Sequence, residues 1–296
     1  MTDDVVYIPH HPLNISTQFA ILEDLRYLPP RAMSFHELND LLMTRQVGWE
    51  IPERPGNHEI IPVLIENNLL RIAEITSAVY GRKTRYALGK VSFLQLASSF
   101  YKGSYLSHGT ALQLHGLASF DQVLVNHEQS PKHSKSRLSQ SGLDRAFKSQ
   151  QRQSSYIFRY GSRTITFLNG KNTERAGVID MRGPENEPLQ VTSLERTLID
   201  ALVRPQYAGG IRNVLRCFEE AKDRISIDQM TSLLVKMRYV YPYHQALGFV
   251  LQRAGVPEEL LNPIKERKIR FRFYLDYAMN TPRFDPTWKL YYPSDL

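Results

Sequence analysis

Apolar residues recur at helical spacing between residues 13 and 28, at Ile15, Phe19, Leu22 and Leu25, and predict an amphipathic first helix. Pro29-Pro30 ends it, because proline lacks a backbone donor and clashes with the preceding turn. Ser34-Phe35-His36-Glu37 has the spacing of a capping box, and Leu38, Leu41 and Leu42 follow as the buried face of a short second helix. Gly48, Pro52, Pro55 and Gly56 mark Thr44 to Asn57 as a loop. A third helix runs to Leu69 and buries Ile61, Leu64 and Ile65, with Pro62 expected in its first turn.

The period then changes to two. Leu70 to Ile75 and Lys83 to Leu88 read as short strands joined by a tip around Thr76 to Arg82, with Tyr86 and Leu88 facing in and Arg85 facing out. Three helices followed by a hairpin is the order of a winged helix-turn-helix, a module that also serves in protein contacts.

Beyond it the pattern is mixed. Residues 91 to 125 read as helical and then extended at Val123-Leu124-Val125, with a helix from Ser107 to Leu117 and Gly116 placed for a left-handed cap. Residues 126 to 155 are rich in Ser, Gln, Lys and Arg and predict a mobile basic excursion with one loose helix near Leu143 to Lys148. Strands are expected at Tyr156 to Tyr160 and Thr164 to Leu168, with Asn169-Gly170 as a hairpin turn leading to Gly177 to Met181. Thr192-Ser193-Leu194-Glu195 reads as a second capping box, and helices are expected over 209 to 222, 227 to 238 and 243 to 254, with Ser226 to Gln229 capping in the same way. Alternating aromatic and basic residues close the chain at Ile269 to Tyr277 and Trp288 to Tyr292. The organisation expected is α+β: a winged helix-turn-helix domain over residues 1–92 and a larger mixed α+β domain over 93–296, with the excursion at 126–155.

Composition narrows the function. Apolar residues make up 42% of the 296, enough for packed cores. No run approaches the length of a membrane span, and the acidic start Met1-Thr2-Asp3-Asp4 lacks the pattern of a secretory signal. Cys217 is the lone cysteine, which excludes an intrachain disulfide and a thiolate zinc cluster. A cytoplasmic setting is therefore expected. The net charge of +7 favours a polyanionic partner, yet acidic residues slightly outnumber basic ones up to Lys90, so the excess lies in the second domain.

Catalytic signatures are missing from the sequence. There is no glycine-rich phosphate loop, no His-Glu-x-x-His and no Gly-x-Ser-x-Gly. Gly161-Ser162 is a possible start for a nucleotidyltransferase signature, but Asp180-Met181-Arg182 offers one acid where paired metal ions need two. His108 and His115, seven apart, read better as packed or capping residues than as metal ligands, and His10, His11 and His127 as surface residues. No cofactor, metal site or catalytic residue is expected.

Binding surfaces are offered instead. For DNA, the third helix presents Asn57 and His58, the preceding loop Arg45, Gln46 and Arg54, and the wing three cations, Arg82, Lys83 and Arg85. Glu59 and Glu66 on the same helix would repel phosphates unless they turn away. A further surface for nucleic acid or a protein partner is Lys132, Lys135, Arg137, Arg145, Lys148 and Arg152 in the excursion.

The chain resembles the AbiEi-type antitoxins of type IV toxin–antitoxin systems. Tyr105-Leu106-Ser107-His108 through Ala111-Leu112 to His115-Gly116-Leu117 is similar to the opening of that family's second domain. Val191-Thr192-Ser193-Leu194-Glu195-Arg196-Thr197-Leu198-Ile199-Asp200 resembles its T-x-x-E-R-T-L-x-D stretch, and the order of elements agrees over nearly the whole chain. The resemblance implies a repressor that binds inverted repeats of double-stranded DNA in its own promoter. It also implies neutralisation of a nucleotidyltransferase toxin encoded beside it, with or without a stable complex. Thr192, Glu195, Arg196 and Asp200 are then structural residues: Glu195 suits a cap, and Arg196 with Asp200 is an i, i+4 pair. The competing readings are a protein-interaction module that uses the tri-helical scaffold without touching DNA, and a metal-dependent nuclease.

Overall fold

The computed structural model describes residues 13–49, 55–129 and 138–296. It is a mixed α+β chain of two compact units, Met1–Phe100 and Tyr101–Leu296. The division falls eight residues beyond the expected one, because the helix Phe93–Ser98 closes the first unit.

The first unit runs α1 (Ile15–Arg26), β1 (Arg31–Met33), α2 (Phe35–Arg45), α3 (Asn57–Glu66), β2 (Leu70–Ser77), β3 (Gly81–Leu88) and α4 (Phe93–Ser98). β3 lies between β1 and β2, antiparallel to both, with Met33 opposite Tyr86, Leu70 opposite Leu88 and Ser77 opposite Gly81. β1 was not foreseen, since three residues after Pro29-Pro30 carry no readable period. The capping box at Ser34 is formed in both directions, through Glu37 N–H to Ser34 Oγ (3.2 Å) and Ser34 N–H to Glu37 Oε2 (2.7 Å).

The core of this unit holds Ile21, Leu25, Leu38, Leu42, Ile60, Leu64, Leu70 and Leu88. α1 therefore packs through Ile21 and Leu25, whereas Ile15 and Phe19 are exposed. α1 carries two apolar stripes, and periodicity alone does not choose between them. α3 buries Ile60, Val63 and Leu64 rather than Ile61 and Ile65. Pro62 lies in the second turn, not the first, because the helix already begins at Asn57. One intrahelical hydrogen bond is missing there as a result.

The second unit opens with β4 (Tyr105–Leu106), α5 (His108–Leu114) and β5 (Gln122–Gln129), followed by α6 (Gln140–Lys148). β6 (Ile157–Tyr160), β7 (Arg163–Lys171), β8 (Val178–Arg182) and β9 (Pro188–Thr192) complete a mixed sheet with order β6-β7-β5-β4-β9-β8. β7 is antiparallel to β6 and parallel to β5; β9 is parallel to β4 and antiparallel to β8. Asn169-Gly170 is not a turn. Gly170 continues β7 opposite Glu128, and a Cβ on it would fall 2.4 Å from Asn126 Oδ1. The hairpin turn is Gly161-Ser162, with Gly161 at φ +59°, and the partner of β8 is β9.

Four helices follow, α7 (Leu194–Val203), α8 (Ile211–Ala221), α9 (Ile227–Met237) and α10 (Tyr243–Arg253), and then the short α11 (Asn262–Lys265). A small sheet, β10 (Phe273–Tyr274), β11 (Arg283–Asp285) and β12 (Leu290–Tyr292), packs on them with β12 in the middle. α5 ends as expected: Gly116 is left-handed (φ +77°), and Leu117 N–H returns to Leu112 O at 2.9 Å.

The excursion expected over 126–155 is corrected where it is described. Its first residues lie in β5, and α6 buries Leu143 and Phe147 in the helical core. Phe147 stacks on Tyr277 with centroids 4.3 Å apart. After α6, Gln151 donates to Val203 O and Ser154 Oγ to Phe167 O, so this stretch is tied down. Lys132, Lys135 and Arg137 lie outside the described residues.

Candidate functional site

The Thr192–Asp200 segment is the centre of a connected, buried polar assembly. Ser193 caps α7 by accepting from Arg196 N–H (3.3 Å). The Arg196 side chain runs along the helix to Asp200, four residues on. Its Nε donates to both carboxylate oxygens of Asp200, at 2.9 and 3.0 Å. One terminal nitrogen donates to Thr173 Oγ1 (3.1 Å) and Ala176 O (2.5 Å), the other to the Tyr105 hydroxyl (3.3 Å). Arg196 and Asp200 side chains are 2% and 4% exposed, so the pair has no solvent to relax into.

The assembly extends across the sheet. The Tyr105 hydroxyl donates to Glu128 Oε1 (2.9 Å) and accepts from Asn126 Nδ2 (2.7 Å). Glu128 also accepts from the backbone N–H groups of Thr173 (3.0 Å) and Arg175 (3.2 Å) and from the Thr173 hydroxyl. On the far side the Tyr239 hydroxyl reaches Asp200 Oδ1 at 3.5 Å. Burial raises the pKa of Asp200 against the pull of Arg196. Burial also works against charge on Arg196, but Asp200 over-rides it and the guanidinium stays protonated. Burial likewise raises the Tyr105 and Tyr239 hydroxyls, so both are neutral donors. Burial opposes ionisation of Glu128, but its hydrogen bonds from Thr173, Tyr105 and Arg175 hold its pKa below the usual carboxylate value.

Thr192 and Glu195 tie neighbouring elements to this centre. Thr192 O lies 2.8 Å from His115 Nε2 and accepts from the Thr197 hydroxyl at 3.0 Å. Glu195 does not complete a box with Thr192 at its own helix; its carboxylate accepts from Ser226 N–H, at the start of α9 (3.3 Å). His108 is buried with Nδ1 2.8 Å from Ser107 Oγ, and burial drives its pKa well below the usual value. His115 is lowered as well, by burial above all. Among the described residues no group of three or more His, Cys, Asp or Glu side chains converges as metal ligands would. Chemically the assembly is a scaffold in which Arg196 and Asp200 are paired and Glu128 is hydrogen-bonded. Asn126, Glu128, Thr173 and Tyr239 carried no sequence signal for membership, because their partners are tens of residues away.

The residues expected at a DNA surface are dispersed. Arg45 pairs with Asp24 (3.0 Å), and the Asn57 amide donates to Asn39. Arg54 lies outside the described residues. His58 is exposed, and Glu59 turns back to accept from Gly56 N–H (2.7 Å), away from any groove. The remaining outward positions of α3 include Pro62, Ile65 and Glu66, which are poor at reading bases.

On the hairpin the tip is residues 78–80, so Arg85 is mid-strand and not at the tip. Its guanidinium donates to Ser99 O (3.1 Å) and Phe100 O (3.0 Å) and lies 4.7 Å from the Phe100 ring centroid. Arg85 is thus a packing residue, contrary to the outward orientation expected. Arg82 is exposed beside the tip, 3.4 Å from Glu74, and Lys83 is half-buried. In the second unit Arg145, Lys148 and Arg152 are exposed on and after α6.

No family model matches the chain, and no curated protein matches it. Among solved structures it is similar to the RV2827C protein from Mycobacterium tuberculosis, at 13% sequence identity and a TM-score of 0.51, over 96% of this chain and 93% of that one. At that identity the likeness is one of fold.

Proposed function

We propose that this chain is a DNA-binding antitoxin of the AbiEi type, acting by binding and not by catalysis in the cytoplasm. On this reading the first unit is a winged helix-turn-helix that represses the chain's own promoter, and the second neutralises a nucleotidyltransferase toxin encoded beside it. The observation that carries the proposal is a set of contacts. The two segments that resemble the family are bonded to each other, through His115 Nε2 at Thr192 O and Arg196 at the Tyr105 hydroxyl. A motif whose residues interlock in this way is a unit of structure, as the resemblance implies. The order α1-β1-α2-α3-β2-β3, with β1 joined to the hairpin, supports the winged-helix assignment. No described helix is long and apolar enough to cross a membrane.

The DNA contact is assigned to Arg82 and Lys83 on the hairpin, with Arg145, Lys148 and Arg152 as further phosphate contacts. A gel-shift titration of the Arg82→Ala, Lys83→Ala variant against the chain's upstream promoter tests this. Binding should weaken, and the slope of log affinity against log salt should flatten by about 0.9 per phosphate contact removed. Unchanged affinity and slope would reject the hairpin assignment. Co-expression with the adjacent nucleotidyltransferase frame tests the antitoxin role: growth should recover only when this chain is present.

One observation favours a protein-contact reading for part of the first unit. Ile15 and Phe19 of α1, four residues apart and so on one side of the helix, are 86% and 66% exposed.

A further inference from the structure

Where α9 gives way to α10 the surface folds into a cavity of about 160 Å³. Arg238, Tyr239, Tyr241, Tyr243, His244 and Arg267 form most of its wall, and no carboxylate among the described residues lines it. Arg238 is the left-handed C-cap of α9 (φ 47°) and is exposed. Lys171 adds a third positive charge nearby: its ammonium donates to Arg238 O and lies 5.7 Å from the centroid of Tyr239. His244 Nε2 is buried with no hydrogen-bond partner. Burial first, then Arg267, pushes the His244 pKa down to about 4, so its ring is neutral near pH 7. Two guanidinium groups and a neutral imidazole thus share this wall, with no carboxylate among the described residues that line it.

We propose that this cavity binds the phosphate of a nucleotide, held by Arg238 and Arg267, with the tyrosines flanking the sugar or base. Guanidinium groups match phosphate oxygens with paired, charge-assisted hydrogen bonds. Tyrosine faces accept bases of any identity. At about 30 Å³ per water, the cavity holds roughly five waters, which is room for a phosphate inside and a base at the rim. The Tyr239 hydroxyl on Asp200 anchors this wall to the Arg196 pair. The site belongs to the second unit and stands whether or not the hairpin touches DNA.

The phosphate has two possible sources, a free mononucleotide or the 5′ end of a strand. Calorimetric titration of the full chain with inorganic phosphate, AMP, and a short oligonucleotide with and without a 5′-phosphate separates them. AMP should bind more tightly than phosphate. If the source is a strand end, the 5′-phosphorylated oligonucleotide should exceed both AMP and its unphosphorylated form by about tenfold or more. If the source is free nucleotide, it should not exceed AMP.

Arg267→Gln should weaken AMP binding at least about tenfold. Val235→Glu, which sets a carboxylate at an exposed rim position (55% exposed), should do the same without disturbing the fold. Should Arg267→Gln fail to fold, Val235→Glu decides. The ring signals of His244 should shift on saturation, because the residue lines the cavity. Absence of AMP and phosphate binding at millimolar concentration, or binding indifferent to Val235→Glu, overturns the proposal.

Discussion

Glu195 and Ser226 are joined by a hydrogen bond that links the starts of two helices: the carboxylate on the first turn of α7 accepts from the backbone N–H of the N-cap of α9, at 3.3 Å. Ser226 Oγ meanwhile accepts from Gln229 N–H at 3.3 Å. The return bond of a capping box is thus made by a residue from another helix. Glu195→Ala should remove it and leave a half-buried N–H unpaired, at a cost of about 1 kcal/mol. Glu195→Gln keeps an acceptor oxygen and should retain most of the stability. Urea unfolding of the two variants checks this; equal losses would mean that the charge, not the cap, is what α9 requires.

The Arg196–Asp200 pair should be expensive to break and cheap to replace. Arg196→Met leaves Asp200 buried with only the Tyr239 hydroxyl and the charge of Arg204 to offset its burial, and loss of one partner of a buried ion pair costs about 3–5 kcal/mol. That is a large part of the roughly 5–15 kcal/mol by which domains are stable. The double variant Arg196→Met, Asp200→Leu removes both desolvated charges and should be clearly more stable than Arg196→Met alone. Double-mutant-cycle analysis of denaturant midpoints measures the coupling. Additive losses would show that the two side chains act independently.

Acid should destabilise the second unit in two stages. His108, His115 and His244 are all held below the ordinary histidine value of 6.5, chiefly by burial. Each binds its proton more weakly folded than unfolded. Their stabilising effect is therefore complete above pH 6.5 and is lost as the pH falls below it, towards about 4 for His244. Glu128 has a folded pKa below its ordinary 4.5, so its contribution is present above that value and is lost only on further acidification. Stability measured by urea midpoint should fall from pH 7 to 5. The fall should be shallower in His108→Asn, where asparagine tolerates the left-handed backbone (φ 50°). An unchanged slope in that variant would remove His108 from the account.

The helices of the second unit were readable because their signals are local. Ser226 and the apolar periods place α8, α9 and α10 to within two residues of their observed ends, and Gly116 marks the end of α5. What escaped the sequence are choices settled by distant partners. Asn169-Gly170 has the composition of a turn, yet pairing along the whole length of β5 keeps it in β7. Leu143 and Phe147 sit among Ser, Gln and Arg, and residues far along the chain give them a core, Phe147 against Tyr241, Phe273, Tyr274 and Tyr277. The members of the motif were visible as a motif, but the destination of Glu195 was not, since Ser226 lies 31 residues on. Arg85 shows the same limit: alternation places it outside, whereas the chain returning at Ser99 and Phe100 covers it.

That covering separates two kinds of cation on one strand. Arg85 donates to the carbonyl oxygens of Thr84, Ser99 and Phe100 and rests on the Phe100 ring, so Arg85→Ala should lower stability by about 1–3 kcal/mol through unpaired carbonyls and lost packing. Arg82, with its side chain 77% exposed, should be removable with almost no effect on the thermal midpoint, because exposed ion pairs contribute about 0–1 kcal/mol. DNA affinity should respond in the opposite order once the loss of folded protein in Arg85→Ala is corrected for. Thermal melts and gel shifts of the two single variants, measured at one salt concentration, give both rankings. If Arg85→Ala melts like the parent yet binds promoter DNA more weakly than Arg82→Ala, the packing role is wrong and Arg85 is a phosphate contact.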